Sequence, residues 1–520
     1  LAGNAKSINY LNASALTIGT VNNTNGITTT GNVSVKTTSG DLTLSQNINT
    51  PGSVNLEAAA AITYTTGITS ASTLNLKAGS TIGSSSKRVQ TDVTNLSMDS
   101  GGDQFLTEAN AINVSARTTA NNGSIDIATT NGTLNVGTVN TIAGITSLGN
   151  TTLTSYATAN ALEIGAAVNS GGNVTLTGHS TSLTGINIAS AITASNGTIT
   201  LVGTTDTNTR PSNTAYAGIS NSNTVQGKDI NLTATATDTT ADVLGYYGAS
   251  SSLIASHSLT ASASSAGSGV GFYMWGGYAQ SGAGMSIIGT SNTGHGIALE
   301  NNASLSNSTS GSLFLTGETN NMTTRSAISL SGSTISNTNE GITLMSNKGD
   351  ITANQRLGSN SRVGNIANTI SANGAISITA GQTASSTDAI NASLLTIEQN
   401  SNAGVAVSTS GTGNVTVPKI INAGTGDIVV AAGTSVAAGT GTGGQILTVV
   451  NNTLAQTNAA RGKTYVYSGS ADATGVLSNL SPDFDSLYYQ GTRQALNAGF
   501  SKKFDAIHSD DMSLPSGGSA

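Results

Sequence analysis

The chain has 520 residues, of which 37% are apolar but only 8% charged and 4% aromatic; 63 are Gly, 5 are Pro and none is Cys. Its net charge of −7 is thinly spread with no basic run, which argues against a nucleic-acid partner, and without Cys there is neither a disulfide nor a thiolate metal site. A disordered chain would hold less Val, Ile and Leu and more charge, and an ordinary globular enzyme would carry about a quarter charged residues, which leaves a fold of stacked short strands made soluble by Ser, Thr and Asn.

From Gly31 to Leu76 one phrase keeps returning: a turn residue, then apolar-x-apolar. Val33/Val35, Leu42/Leu44, Val54/Leu56 and Leu74/Leu76 are such pairs, and side chains that alternate faces make each a strand with two inward residues. Val33 to Val54 is 21 residues and Val54 to Leu74 is 20. Several short strands per period of that length predict a solenoid. The phrase continues at Ile125/Ile127, Leu134/Val136, Val174/Leu176 and Ile199/Leu201. The more charged segment from Ser84 to Glu108 reads as coils with a longer exposed loop. These short coils are assigned to residues 1–198.

From residue 199 the period lengthens. The phrase recurs at Ile199, Ile230, Leu259, Met285, Leu313, Ile342 and Ile376. A second series runs through Ile219, Tyr246, Phe272, Ile297 and Ile328, and a third through Leu253, Tyr278, Leu305 and Ile335. Three series at one period predict three strands per coil and a triangular cross-section, with the extra length in loops. This longer-coiled region spans 199–460. The repeat is gone from 461 onward, where aromatic and charged residues gather. Residues 461–508 therefore read as a C-terminal cap over the last strands, with a short helix around Ser486–Ala498, and 509–520 as a flexible tail.

Site chemistry is sparse. Polysaccharide-cleaving β-helices need clustered carboxylates or a base beside them, and no two strands here place such a pair at matching positions, so no catalytic residue is assigned and the chain is read as a non-enzyme. The histidines His179, His257, His295 and His508 are isolated in sequence; only His257 and His295 are candidates to meet across coils, and neither a metal nor a cofactor is assigned. Thr runs such as Thr28–Thr30, Thr43 and Thr65–Thr66 keep no strict spacing, so a flat ice-binding side is not expected. The unusual stretch is Val243–Leu299, free of Asp, Glu, Lys and Arg until Glu300 and holding the only Trp. If Phe272 points in, Met274 does too, while Tyr273 and Trp275 face out. Tyr273, Trp275 and Tyr278 are the candidate ligand-binding residues, since exposed rings mark binding patches.

GNVSVKTTSGDLTLSQNINTPGSVNLEAAAAI, AINVSARTTANNGSIDIATTNGTLNV, the block from Gly269 to Leu299 and the segment from Gly462 to Leu480 resemble the repeats of filamentous-haemagglutinin-type exoproteins. Those are the large secreted partners of bacterial two-partner secretion systems. The resemblance implies a right-handed parallel β-helix, displayed on or released from a Gram-negative cell. Its implied role is adhesion to host cells, other bacteria or biofilm polysaccharide, after export by an outer-membrane partner. The partners implied are surface glycans or receptors. The family's N-terminal secretion domain, with its Asn-Pro-rich motif, is not visible, and Leu1 is no initiator Met, so the chain reads as an internal fragment. The alternatives are a glycan-processing β-helix enzyme and a plain spacer stalk.

Overall fold

The computed structural model describes residues 1–120, 122–208, 216–321, 325–353, 367–381, 388–433, 444–447, 452–458, 460 and 462–468, and the strand Ser486–Tyr489. The chain divides into two compact units, Leu1–Thr237 with Ser252–Ile254, and Asp238–Ser251 with Ala255–Ala520. Each is a parallel β-helix, all-β among the described residues, with no helix long and apolar enough to cross a membrane.

In the first unit three columns of inward side chains define the coil. One runs through Val33, Val54, Leu74, Leu96 and Val114. The second is Leu16, Leu42, Ile62 and Ile82. The third is Ile27, Ile48, Thr69 and Thr91. The alternating apolar-x-apolar phrase fixes this register, because a slip of one residue would turn a whole column to solvent. Loop length drifts while register holds, since each wall is paired residue for residue and the corners absorb the difference.

The walls regroup between residues 84 and 118. Instead of a long loop, only the Ser84–Lys87 turn stands out; Val89–Ser100 is one strand of 12 residues spanning two walls. Its first part pairs with Leu106–Glu108, its second with Asn113–Thr118. The strand Ile112–Thr118 splits its partners between Leu134–Val136 and Ile145–Thr146. Three walls enter and three leave, but the corners have moved. Charge belongs to this change: the buried Glu108 carboxylate accepts from Thr91 Oγ1 (2.6 Å) and from the N–H of Val93 (3.0 Å) and of Asn110 (3.3 Å). It thereby satisfies backbone donors that the bend takes out of the ladder. Past it the walls run Ile125–Thr151–Val174–Ile199–Ile230, Leu134–Leu162–Ile186–Ile219 and Ile145–Val168–Ile192–Val225.

In the second unit the columns are Leu259–Met285–Leu313–Ile342–Ile376–Val405–Ile428 and Tyr246–Phe272–Ile297–Ile328. The third column differs from the sequence reading: Ala279, not Tyr278, pairs with Leu305, and Ile335 follows. Gly276 and Gly277 both adopt positive φ (70° and 73°), and this tight corner shifts the alternation by one residue. The start of the expected Ser486–Ala498 helix is instead the strand Ser486–Tyr489, parallel to Thr464–Ser468, which itself pairs with Ile428–Ala431. Three consecutive aromatic or branched residues, Leu487, Tyr488 and Tyr489, favour the strand. The rest of the cap and the tail lie outside the described residues.

In both units one corner is pinched shut by small residues. A Cβ added to Gly203 would stand 2.2 Å from the Gly218 carbonyl oxygen, and one added to Gly317 would stand 2.1 Å from that of Ala327. Strand ends therefore approach the following strand more closely than any side chain allows.

Candidate binding surfaces

The strand Phe272–Trp275 carries the ring-rich stretch. Phe272 and Met274 point inward and are fully buried; Tyr246 stacks on Phe272 with centroids 4.8 Å apart and planes at 15°. Tyr273 and Trp275 face outward, half-buried. Tyr273 lies against Tyr247 on the preceding coil (5.5 Å) and meets Trp275 edge-on (6.4 Å). Its hydroxyl donates to Glu300 Oε2 at 3.1 Å, and Glu300 is only 1% exposed. In register, Ala298 and Glu300 follow Tyr273 and Trp275, and both are buried although they occupy outward positions. This wall is covered, so its rings pack as much as they present. Tyr278 stands apart: beyond the Gly276–Gly277 corner, on the strand Tyr278–Ser281, it is 40% exposed and makes no ring contact among the described residues. The structure thus joins Tyr273 and Trp275 and separates Tyr278 from them.

His257 and His295 do not approach. His257 lies between the strands Ser252–Ala255 and Leu259–Ser265, whereas His295 lies between Met285–Ser291 and Ile297–Glu300, at a different corner. His295 is buried, and its Nδ1 accepts the Ser326 N–H at 3.0 Å. Burial, with the nearby Arg325 charge, pushes its pKa down to about 4 against the pull of that hydrogen bond, so the ring is neutral at pH 7. Among the described residues no three His, Asp or Glu side chains gather as a metal set would require.

Two surfaces escaped the sequence reading. The first is in the second unit, on the wall of the Leu259 column. Ile288, Phe314 and Met345, all exposed, occupy three successive coils. Ile288 and Met345 share one outward column with Thr316 between them, and Phe314 stands two residues along from Thr316, so the three form a triangle among Ser286, Thr316 and Thr343. Strands about 4.8 Å apart with side chains alternating faces put such diagonal neighbours within reach of large side chains. They sit at outward positions, which the apolar-x-apolar phrase does not mark.

The second surface lies in the first unit, on the wall through Ile125, Val174 and Ile230. Its outward columns are Thr152–Thr175–Thr200–Asn231, Thr154–Thr177–Val202–Thr233 and Tyr156–His179–Thr204–Thr235. His179 is therefore not isolated: the Tyr156 ring meets it edge-on at 4.8 Å, and its Nε2 lies 2.6 Å from Asp206 Oδ2. Thr237 Oγ1 donates to Asp206 Oδ1 at 2.7 Å. Burial alone would raise the Asp206 pKa, but the Thr237 and His179 bonds outweigh it and hold the carboxyl below its usual range. Tyr156 and His179 are 23 residues apart and His179 and Asp206 are 27 apart; unequal spacing hid a register that the coils preserve.

Comparison with protein-family models, with curated proteins and with solved structures finds no match.

Proposed function

We propose that this chain is part of a bacterial surface or secreted adhesin, exported with the help of an outer-membrane partner, whose parallel coils present side chains to glycans or receptors on host cells, other bacteria or biofilm matrix. The observation that carries this reading is the wall bearing Ile288, Phe314 and Met345. Three large apolar side chains stand exposed and adjacent across three coils, within a polar Ser and Thr surround. A column that keeps its register can instead bear Thr or Ser at no cost to the core, so the exposed apolar group marks contact rather than packing. Attachment then sums many weak contacts along repeated coils. Tyr278, exposed on a neighbouring wall, and the half-buried pair Tyr273 and Trp275 extend the contact surface.

Replacing Ile288, Phe314 and Met345 together by Ser is expected to cut attachment of protein-coated beads to cells or biofilm by about tenfold, an effect near 1.4 kcal/mol, with the β-sheet circular dichroism unchanged. Full attachment by the folded triple variant would refute the reading of this wall.

A further inference from the structure

We propose that Tyr156, His179 and Asp206 form a binding site for an uncharged polysaccharide laid across the coils of the first unit. The inference deepens the adhesin reading and rests on it for the polymer's presence, but the site is argued from its own geometry. It is separate from Tyr273, Trp275 and Tyr278 and from the Ile288–Phe314–Met345 wall.

A site for a sugar ring needs an aromatic face to lie against the ring's C–H groups and acceptors for its hydroxyls. Tyr156 is 45% exposed at the end of its strand, where an amphipathic ring is out of the core and costs little to bury again. His179 packs on it edge-on, at 79° between planes, and so fixes the ring's orientation before any ligand arrives. Because Asp206 is held ionised, His179 Nε2 is the donor in their bond. Each Asp206 oxygen accepts one bond, Oδ2 from His179 and Oδ1 from Thr237, and each retains a second acceptor position. The Asp206 side chain is 37% exposed, so paired sugar hydroxyls can reach both oxygens, and bonds to an ionised acceptor are the strong ones.

The remainder of the surface defines the polymer's direction and charge. From Tyr156 the column continues through His179, Thr204 and Thr235, and the adjacent column through Thr154, Thr177, Val202 and Thr233. Hydroxyls and methyls thus follow one another across four coils at the strand spacing of about 4.8 Å. The polymer runs in that direction, perpendicular to the strands. Among the described residues the one carboxylate in the group is that of Asp206, so a uronate or sulfated chain would meet repulsion, and the fit is to uncharged sugars. Thr residues alone make no site; the oriented ring and the partly unfilled carboxylate supply the specificity.

The test is calorimetric titration of the folded protein with cello-, laminari-, malto-, manno- and chitotetraose, and with tetragalacturonate as the acidic control. At least one uncharged tetraose is expected to bind, and tetragalacturonate is not. Tyr156→Ala should weaken that binding by about tenfold and Asp206→Asn by about fivefold, while Tyr156→Phe should retain it. Binding by none of the uncharged probes, preference for tetragalacturonate, or unchanged affinity in folded Tyr156→Ala would each overturn the proposal. Attachment assays separate its failure from that of the adhesin reading. Attachment that needs the protein but ignores Tyr156→Ala sinks this site alone. Tetraose binding that depends on Tyr156, in a protein that contributes nothing to attachment, sinks the adhesin reading alone.

Discussion

The two units solve the same corner problem with overlapping sets of side chains. In the first, short hydroxyls close the turns: Ser147 Oγ donates to the Gly149 carbonyl at 3.0 Å, Ser170 Oγ to the same oxygen at 2.6 Å, and Thr50 Oγ1 to that of Gly31 at 2.5 Å. The second keeps that device, with Ser291 Oγ donating to the Gly269 carbonyl at 2.6 Å and Thr319 Oγ1 to that of Gly294 at 2.7 Å, and also uses buried amides: Asn337 Nδ2 bridges the carbonyls of Gly311 (3.1 Å) and Gly341 (2.9 Å), and Asn422 Nδ2 donates to that of Gly426 at 2.6 Å. The cores follow suit. Val, Ile and Leu with a few Thr fill the first unit's columns, while the second admits the buried Tyr246–Phe272 stack. Both units bury a carboxylate, Glu108 in the first, where its walls regroup, and Glu300 in the second, and the second adds a histidine, His295.

The largest effects should come from the pinched corners, where the two units are alike. Gly203→Val and Gly317→Val each drive side-chain carbon into a carbonyl oxygen of the next strand, and only backbone movement can relieve it. Each is expected to cost more than ~3 kcal/mol. Because each coil of a solenoid touches only its neighbours, hydrogen exchange should show Gly203→Val loosening the first unit and Gly317→Val the second. Uniform loosening of both by either variant would mean the units melt as one, and the comparison would lose its basis.

Acid should pull the units in opposite directions. His295 is lowered from 6.5 to about 4, so the unfolded chain takes a proton that the folded one refuses. Stability of the second unit falls as the pH drops from 6.5 towards 4, by up to ~3 kcal/mol. Glu108 has the contrary shift: burial raises its pKa above 4.5, against the bonds from Thr91, Val93 and Asn110, with Asp92 adding to the rise. The folded chain binds that proton more readily than the unfolded one, so stability of the first unit rises as the pH falls through the raised value. Between pH 6.5 and 5 urea midpoints read unit by unit should diverge. His295→Gln, whose amide oxygen still accepts from Ser326, should flatten the second unit's response, and Glu108→Gln the first's. Parallel pH profiles in the two units would contradict this assignment.

Much of this architecture is legible in the sequence because the core is periodic. Val33, Val54 and Leu74, or Leu259, Met285 and Leu313, are aligned by counting alone, and the outward parity of Tyr273 and Trp275 follows from placing Phe272 inside. Three features resist counting. Gly276–Gly277 changes parity through backbone conformation, so Tyr278 left the column it was assigned to. At Glu108 a change of wall is set by which donors the bend strands, a property of three dimensions. Tyr156, His179 and Asp206 are brought together by register across coils of unequal length, while their spacing in the chain repeats nothing.

The smallest expected difference concerns polar ties. Glu57 sits between Lys36 (3.0 Å) and Lys77 (3.5 Å) on successive coils of the first unit, all three largely in solvent. Burial is the largest single influence and opposes its ionisation, yet the two lysines together hold its pKa below 4.5. Solvent screens such pairs, so Lys36→Ala should cost at most ~0.5 kcal/mol, less in high salt. Asn337→Ala, by contrast, takes one donor from two turn carbonyls that each keep another (Asn307 Nδ2 at Gly311, the Leu313 N–H at Gly341) and removes the acceptor of the Asn339 and Glu340 N–H groups, and should cost ~1–3 kcal/mol with no salt dependence. Urea denaturation of both variants at low and high salt compares them directly. Equal losses, or a salt-sensitive Asn337→Ala, would mean that these corners are held by charge after all.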